Sequence, residues 1–192
     1  MVESIHIKNF KSIADETIEL GRVNVLIGSN GSGKSNILEA IAFLSASLVS
    51  RNIDKNILFG KGVRLAKPSL MITSERGKKQ EESILIDVKL KGGENRSVNA
   101  FNISSNNDFE WKTNDRFTIE DFQDDYINKT SAKELFNIFW GNSSEDYLSN
   151  FLIYTLNTLA LRGLASVSHQ SPVGIYGENL DVLIANFDDE ER

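Results

Sequence analysis

Residues 23–41 read VNVLIGSNGSGKSNILEAI, and within them Gly28-Ser29-Asn30-Gly31-Ser32-Gly33-Lys34-Ser35 satisfies the pattern G-x-x-x-x-G-K-[ST]. The flanks supply the context that gives this pattern meaning. Upstream, Arg22 to Ile27 is rich in β-branched residues and runs straight into Gly28, as a strand buried on both faces would. Downstream, Ile37, Leu38, Ile41, Ala42 and Leu44 or Ser45 recur at helical spacing and predict an amphipathic helix to about Val49. Strand, glycine-rich turn and helix together make a phosphate cradle. Glycines at 28, 31 and 33 let the backbone adopt positive φ and approach closely, so that successive N–H groups turn inward as an anion nest. The first turn of the helix adds its orphan N–H groups and its dipole where a β-phosphate sits. Lys34 is expected to span the β- and γ-phosphates of a nucleoside triphosphate, and the Ser35 hydroxyl to ligate its Mg²⁺. Asn30, Gly31, Ser32, Gly33 and Asn36 complete the expected nucleotide-binding set.

Working outward, Ser4 to Phe10 sets Ile5 and Ile7 against polar neighbours, and Thr17 to Leu20 is a second short run before Gly21; the two predict an antiparallel ribbon. Ser69 to Thr73, Ser83 to Leu90 and Arg96 to Ile103 read as further strands, separated by Glu75 to Glu82 and by a Gly92-Gly93 turn. Connections this short cannot carry parallel crossovers, so an antiparallel sheet is expected beside the P-loop core. Asn102 to Asn114 is polar and loop-like, with one short strand at Phe109 to Trp111. Helical periodicity returns at Ile119 to Ile127, Ala132 to Trp140 and Glu145 to Leu164, and the apolar window Phe151 to Ala165 reads as a buried helix. After a connection holding Pro172, Asn179 to Phe187 opens a last helix.

Composition narrows the class. The chain has no cysteine, which excludes disulfides and thiolate metal sites and fits a reducing cytoplasm. The Phe151 to Ala165 window contains Thr155, Asn157, Thr158 and Arg162 and is shorter than the roughly 20 residues that cross a bilayer, so no membrane span is expected. Charge is unevenly placed: residues 1–50 hold 4 basic and 5 acidic groups, residues 51–96 hold 11 and 6, and residues 97–192 hold 6 and 16. The basic middle, which includes Arg51, Lys61 and Arg64, reads first as a solvated surface, and contact with DNA phosphates is the alternative left open.

IHIKNFKSI (residues 5–13) followed by VNVLIGSNGSGKSNILEAI resembles the N-terminal lobe of ABC-type ATPases of the SMC, RecF and OLD kind, including the stand-alone AAA-family ATPases of bacterial defence systems. The resemblance implies an α/β fold: a P-loop NTPase core with an attached antiparallel β-subdomain and a helical segment. One ATP-binding lobe is expected over residues 1–192, with a core at 1–50, the β-subdomain at 51–114, and a helical part at 115–192 leading to a missing C-terminal half. It also implies ATP and Mg²⁺ as ligands, with Lys11 and Ser12 near the adenine or the phosphates. SPVGIYGENLDVLI (residues 171–184) is similar to the Gly-Glu-Asn-Leu segment ahead of the helical arm, which would put Gln170 at the Q-loop position, facing Mg²⁺ and the attacking water. A homodimer or higher oligomer closing through the ATP sites follows from the same likeness, as does an effector protein such as a nuclease or toxin.

The departures are as informative. No signature motif, no switch histidine and no Walker B run of four apolar residues followed by Asp-Glu is found; the nearest imitation, Ile84-Leu85-Ile86-Asp87, continues with Val88. His6 and His169 read as structural, and the run Asp188 to Glu191 as a solvated helix face. The expected activity is ATP hydrolysis by a complete protein, used to switch an effector in DNA repair or anti-phage defence, with little turnover from this chain alone. A non-catalytic ATP-binding assembly module is the alternative. A P-loop kinase or GTPase is a third reading, weakened because Asn128-Lys129-Thr130-Ser131 lacks the Asp of a guanine-reading motif.

Overall fold

Alternation of β-branched and polar residues decides the sheet. In β1 (Val2–Phe10), Ile5 and Ile7 are buried, and in β4 (Ser83–Leu90) so are Ile84, Ile86 and Val88, while His6, Lys8, Leu85 and Asp87 project from the opposite face. The computed structural model describes residues 2–74, 83–90, 94–102, 110–119, 148–163 and 173–186. The remaining elements are β2 (Ile13–Glu19), α1 (Lys34–Val49), β3 (Asn52–Ile53), α2 (Lys55–Gly60), α3 (Pro68–Met71), β5 (Glu94–Asn102), β6 (Trp111–Ile119), α4 (Thr158–Leu161) and α5 (Leu180–Ala185). Six strands form one sheet in the order β2-β1-β4-β5-β6-β3, antiparallel at every junction. The antiparallel subdomain expected for residues 51–114 is therefore continuous with the N-terminal ribbon. Its closing strand is longer than expected: β6 runs from Trp111 to Ile119, through residues read as loop and into the part expected to be helical.

The helix that follows the P-loop packs on the apolar face of this sheet. Phe43 stands edge-on to Phe10 at 5.8 Å between centroids and to Trp111 at 5.6 Å, geometries that add about 1 kcal/mol each to the area they bury. Every residue from Glu39 to Ser47 except Ile41 is buried, so α1 is enclosed beyond the single amphipathic face expected for it. The sheet, α2 and the segment from Leu148 to Ile153 share the covering.

Three expectations are corrected. Arg22 to Ile27 is not a buried strand: it takes no place in the sheet, and Val23, Val25 and Ile27 are 83%, 75% and 90% exposed. The described strands are all antiparallel and sit elsewhere, so none offers its backbone to this segment. Ser69 to Thr73 is not a strand either; Pro68 at the first turn starts α3 instead, and only Ile72 bridges, to Phe10. Phe151 to Asn157, the first part of the buried helix expected to reach Ala165, is not helical, and among the described residues only Thr158–Leu161 is. The N–H groups of Ile153, Thr155 and Asn157 bond to the carbonyls of Lys61, Ile175 and Tyr176 at 3.0, 2.8 and 2.9 Å, so alternate backbone groups are taken by other segments and the chain stays extended up to α4. The close approach at Lys61 needs Gly62, where an added Cβ would lie 2.4 Å from the Ile153 carbonyl. Asn179 does open a helix, α5, from a left-handed conformation at φ 62°. Of the helix expected at Ile119 to Ile127, Ile119 instead ends β6 and the rest lies outside the described residues, as do the helix expected at Ala132 to Trp140, His169 and Gln170.

On the outer face, His6 ties three strands together. Its Nε2 meets Asp15 of β2 at 2.7 Å and its Nδ1 meets Asp87 of β4 at 3.2 Å. The hydrogen bond to Asp15 raises the His6 pKa above 6.5, against the opposing effect of burial, and the same bond holds Asp15 below 3.8. Sign follows from linkage: the histidine's share of stability is full below pH 6.5 and is lost as pH rises through the raised folded value, while the aspartate's is lost only as pH falls through its lowered one. Thermal melting of the chain is expected to drop between about pH 6 and 8, and His6→Gln to flatten that dependence. The exposed row on the P-loop segment generates a second expectation. Val25→Lys should lower binding of an apolar dye while moving the melting midpoint by no more than about 2 °C, since a solvent-facing side chain contributes within about 0.5 kcal/mol.

Candidate nucleotide site

The P-loop reaches its shape through backbone conformations that side chains resist. Gly31 and Gly33 have φ of 83° and 92°, and Gly33 is the residue from which α1 starts. At Gly28 the constraint is space, because a Cβ would lie 2.9 Å from the Ser32 hydroxyl. The loop itself is solvent-facing, with Gly28 to Ser32 and Ser35 exposed. Its first hydrogen bonds are already those of a helix: the N–H groups of Asn36 and Ile37 reach the Gly33 carbonyl at 2.9 and 3.1 Å. Burial of α1 further along anchors this end, so the dipole and the N-terminal N–H groups point from a fixed scaffold.

Lys34 curls over the loop. Its ammonium donates to the carbonyls of Gly28 and Ser29 at 2.8 and 2.7 Å and to the Ser32 hydroxyl at 3.3 Å. An ammonium held by the loop's own oxygens, at the start of a helix, supplies positive charge of the kind that binds a polyphosphate. Ser35 occupies the first turn of α1 with an exposed side chain, the position from which a hydroxyl can ligate a cation held by those phosphates.

The β1–β2 turn closes one flank of the loop. Ser12 accepts a 2.7 Å hydrogen bond from the Asn36 side-chain amide, and its hydroxyl would lie 3.3 Å from a Cβ at Gly33. The structure therefore brings Ser12 and Asn36 to the P-loop. Lys11 points another way: from a left-handed conformation at φ 52°, its ammonium pairs with the Glu39 carboxylate and donates to the Arg64 carbonyl at 3.0 Å. Asp87, the last residue of the Walker B imitation, faces away from α1 and pairs with His6, so it is not part of this site. Among the described residues, no group of three or more histidines, aspartates or glutamates could hold a metal ion.

Two residues of this flank were not assigned to the loop from the sequence. Glu39 is 2% exposed, and Arg64 binds it through Nε at 2.5 Å. The signal for Glu39 was an acidic residue on the apolar side of a helix. Arg64 was read only as one of the basic residues at 51–96 open to phosphate contact, and its place on this flank is reached from a loop.

Residues 1–151 match the AAA ATPase domain. The chain belongs to that family of ATPase domains. Individual relatives of the family agree. The chain is 36% identical over 78 residues to the DNA replication and repair protein RecF of Porphyromonas gingivalis, covering 40% of this chain and 21% of RecF. It is 38% identical over 72 residues to the DNA double-strand break repair Rad50 ATPase of Sulfolobus acidocaldarius, covering 36% of this chain and 8% of Rad50. The match to RecF of Francisella tularensis subsp. novicida is longer, 23% over 146 residues, and covers 69% of this chain and 42% of that protein. The chain thus spans less than half the length of each of these relatives.

As a member of an ATPase family with this loop geometry, the chain is expected to be sensitive at Gly33. A Gly33→Ala chain must hold a β-carbon at positive φ, which costs about 1 to 2 kcal/mol. Relief by flattening the loop should weaken nucleotide binding at least tenfold in a calorimetric titration, while α1 content measured by circular dichroism stays the same.

Proposed function

We propose that this chain is the nucleotide-binding lobe of an ATPase whose binding and hydrolysis of ATP, completed by a further lobe and a second copy, switch an attached effector. The observation that carries this reading is the loop from Gly28 to Ser35, with Gly31 and Gly33 at positive φ and the Lys34 ammonium held on the carbonyls of Gly28 and Ser29, built on a helix anchored in the core. In this reading Lys34 holds the β- and γ-phosphates and Ser35 holds the Mg²⁺ that neutralises them. Ser12 and Asn36 line the flank, Asn30 to Gly33 supply backbone donors, and Gln170 orients the attacking water. Lys11 serves by fixing the β1–β2 turn against α1 through Glu39.

The further lobe is supported by what the P-loop segment leaves open. Val23, Val25 and Ile27 face solvent, and beside them an apolar cavity of about 640 Å³ opens between β1 and α1, lined by Ile5, Leu26, Ile37, Leu38 and Ile41 among others. Additional strands laid along Arg22 to Ile27 would cover both and would bring the missing acid to the phosphates. The names of the RecF and Rad50 relatives support a role on DNA; defence against phage is the other setting we retain. A nuclease or toxin is the effector class. A non-catalytic assembly module is the second reading, favoured by the placement of Asp87 on the face away from α1. A kinase or GTPase is disfavoured by the all-antiparallel sheet.

Calorimetry with ATP and Mg²⁺ separates these. The unaltered chain is expected to bind ATP with little turnover, and Lys34→Ala to weaken binding at least a hundredfold without lowering the melting temperature. Absence of binding by the unaltered chain would sink the proposal, and robust turnover would remove the need for another lobe.

A further inference from the structure

The flank that carries Ser12 also holds a charge arrangement that the P-loop reading leaves unexplained. Glu39 is a carboxylate with a side chain only 3% exposed, and it meets two cations, the Lys11 ammonium and the Arg64 guanidinium. Lys11 is itself nearly enclosed, at 12%, and neutralises Glu39 alone. Arg64 is the surplus charge. Its backbone is fixed at both ends of the residue, since its N–H donates to Glu39 at 3.3 Å and its carbonyl accepts from Lys11 at 3.0 Å. Its Nε is held on Glu39 at 2.5 Å, and its Nη2 reaches the Asn36 side-chain oxygen at 3.4 Å. Yet the side chain as a whole is 68% exposed.

An exposed arginine normally samples many rotamers and loses that freedom on meeting an anion. Here the rotamer is set in advance by a buried carboxylate, and the outer edge of the guanidinium remains open to solvent. Its direction is given by a short chain of contacts: Arg64 touches Asn36, Asn36 bonds Ser12 at 2.7 Å, and Ser12 borders Gly33 of the loop. A preset cation thus stands beside the phosphate cradle, in a chain whose net charge is −6.

We propose that Arg64 is a nucleotide-binding residue, which adds a second positive charge to that of Lys34 at the bound polyphosphate, and that Glu39 is the positioning residue that aims it. The inference rests on the P-loop reading above and extends it to residues outside the motif. Because the contact is electrostatic and partly solvent-exposed, its strength grows with the charge of the nucleotide and falls with salt. A purely structural role for Arg64 would give neither dependence.

The test is a calorimetric titration of the full chain with ATP, ADP and adenosine in the presence of Mg²⁺, at low and at high salt. Arg64→Ala is expected to weaken ATP about tenfold, ADP less and adenosine not at all, with the ATP difference shrinking to about threefold or less in high salt. Glu39→Gln keeps the size of the side chain and should give the same ranking. Arg64→Lys keeps the charge without the Nε contact and should fall between. If Glu39→Gln lowers the melting temperature too far to titrate, Arg64→Ala decides alone, because its side chain is mostly outside the core. Equal affinities of Arg64→Ala and the unaltered chain, with Lys34→Ala defective, overturn this inference and leave the P-loop reading standing. No ATP binding by the unaltered chain overturns both.

Discussion

Enclosure of α1 is the constraint on which the rest depends. A helix whose middle is buried on nearly all sides cannot tilt or slide without opening the core, so its N-terminal end is held in one place. Phe43, set edge-on between Phe10 and Trp111, locks the helix to strands on both sides of the sheet centre. The glycine loop is then free to be solvent-facing, because its far end is fixed by packing it does not itself supply. Phosphate recognition at a helix terminus is effective only when the terminus does not move with the ligand, and the aromatic contacts provide that stiffness.

The polar face of the same helix obeys a second constraint. A carboxylate at Glu39 could not be tolerated inside the fold without partners, and the two cations that satisfy it come from the β1–β2 turn and from the loop ahead of α3. One buried acid therefore joins three pieces of chain beside the glycine loop. Removing the acid would strand the enclosed Lys11 ammonium, whereas Arg64, mostly exposed, would lose its seat and keep its hydration.

The shape of the glycine loop was readable from sequence because its requirements are local: positive φ at Gly31 and Gly33 and a helix directly after them all sit within one short stretch. The antiparallel strands β1, β4 and β5 were equally legible from period-two alternation. What failed depends on partners far along the chain. Arg22 to Ile27 has the composition of a buried strand, but strand formation needs a neighbour with a free edge, and composition does not say whether one is present. Phe151 to Asn157 is apolar enough for a helix, yet its backbone is claimed by Lys61, Ile175 and Tyr176, none of them nearby in sequence. Arg64 was read only as part of a basic stretch for the same reason, since its placement is defined by a carboxylate on another element.

The extended segment clamped at Gly62 has a consequence for how the protein is made. The Ser45 hydroxyl of α1 bonds the carbonyl of Ser149, 104 residues later, and β1 must wait for β4, of which Asp87 pairs with His6 across 81 residues. Ribosomal synthesis delivers the P-loop helix first and its covering last. For most of translation, at about 5 to 20 residues per second, α1 is an apolar helix with an incomplete roof. Emergence of the stretch around Ser149 from the ribosome is therefore the moment at which α1 can gain the contacts that cover its Ser45 side.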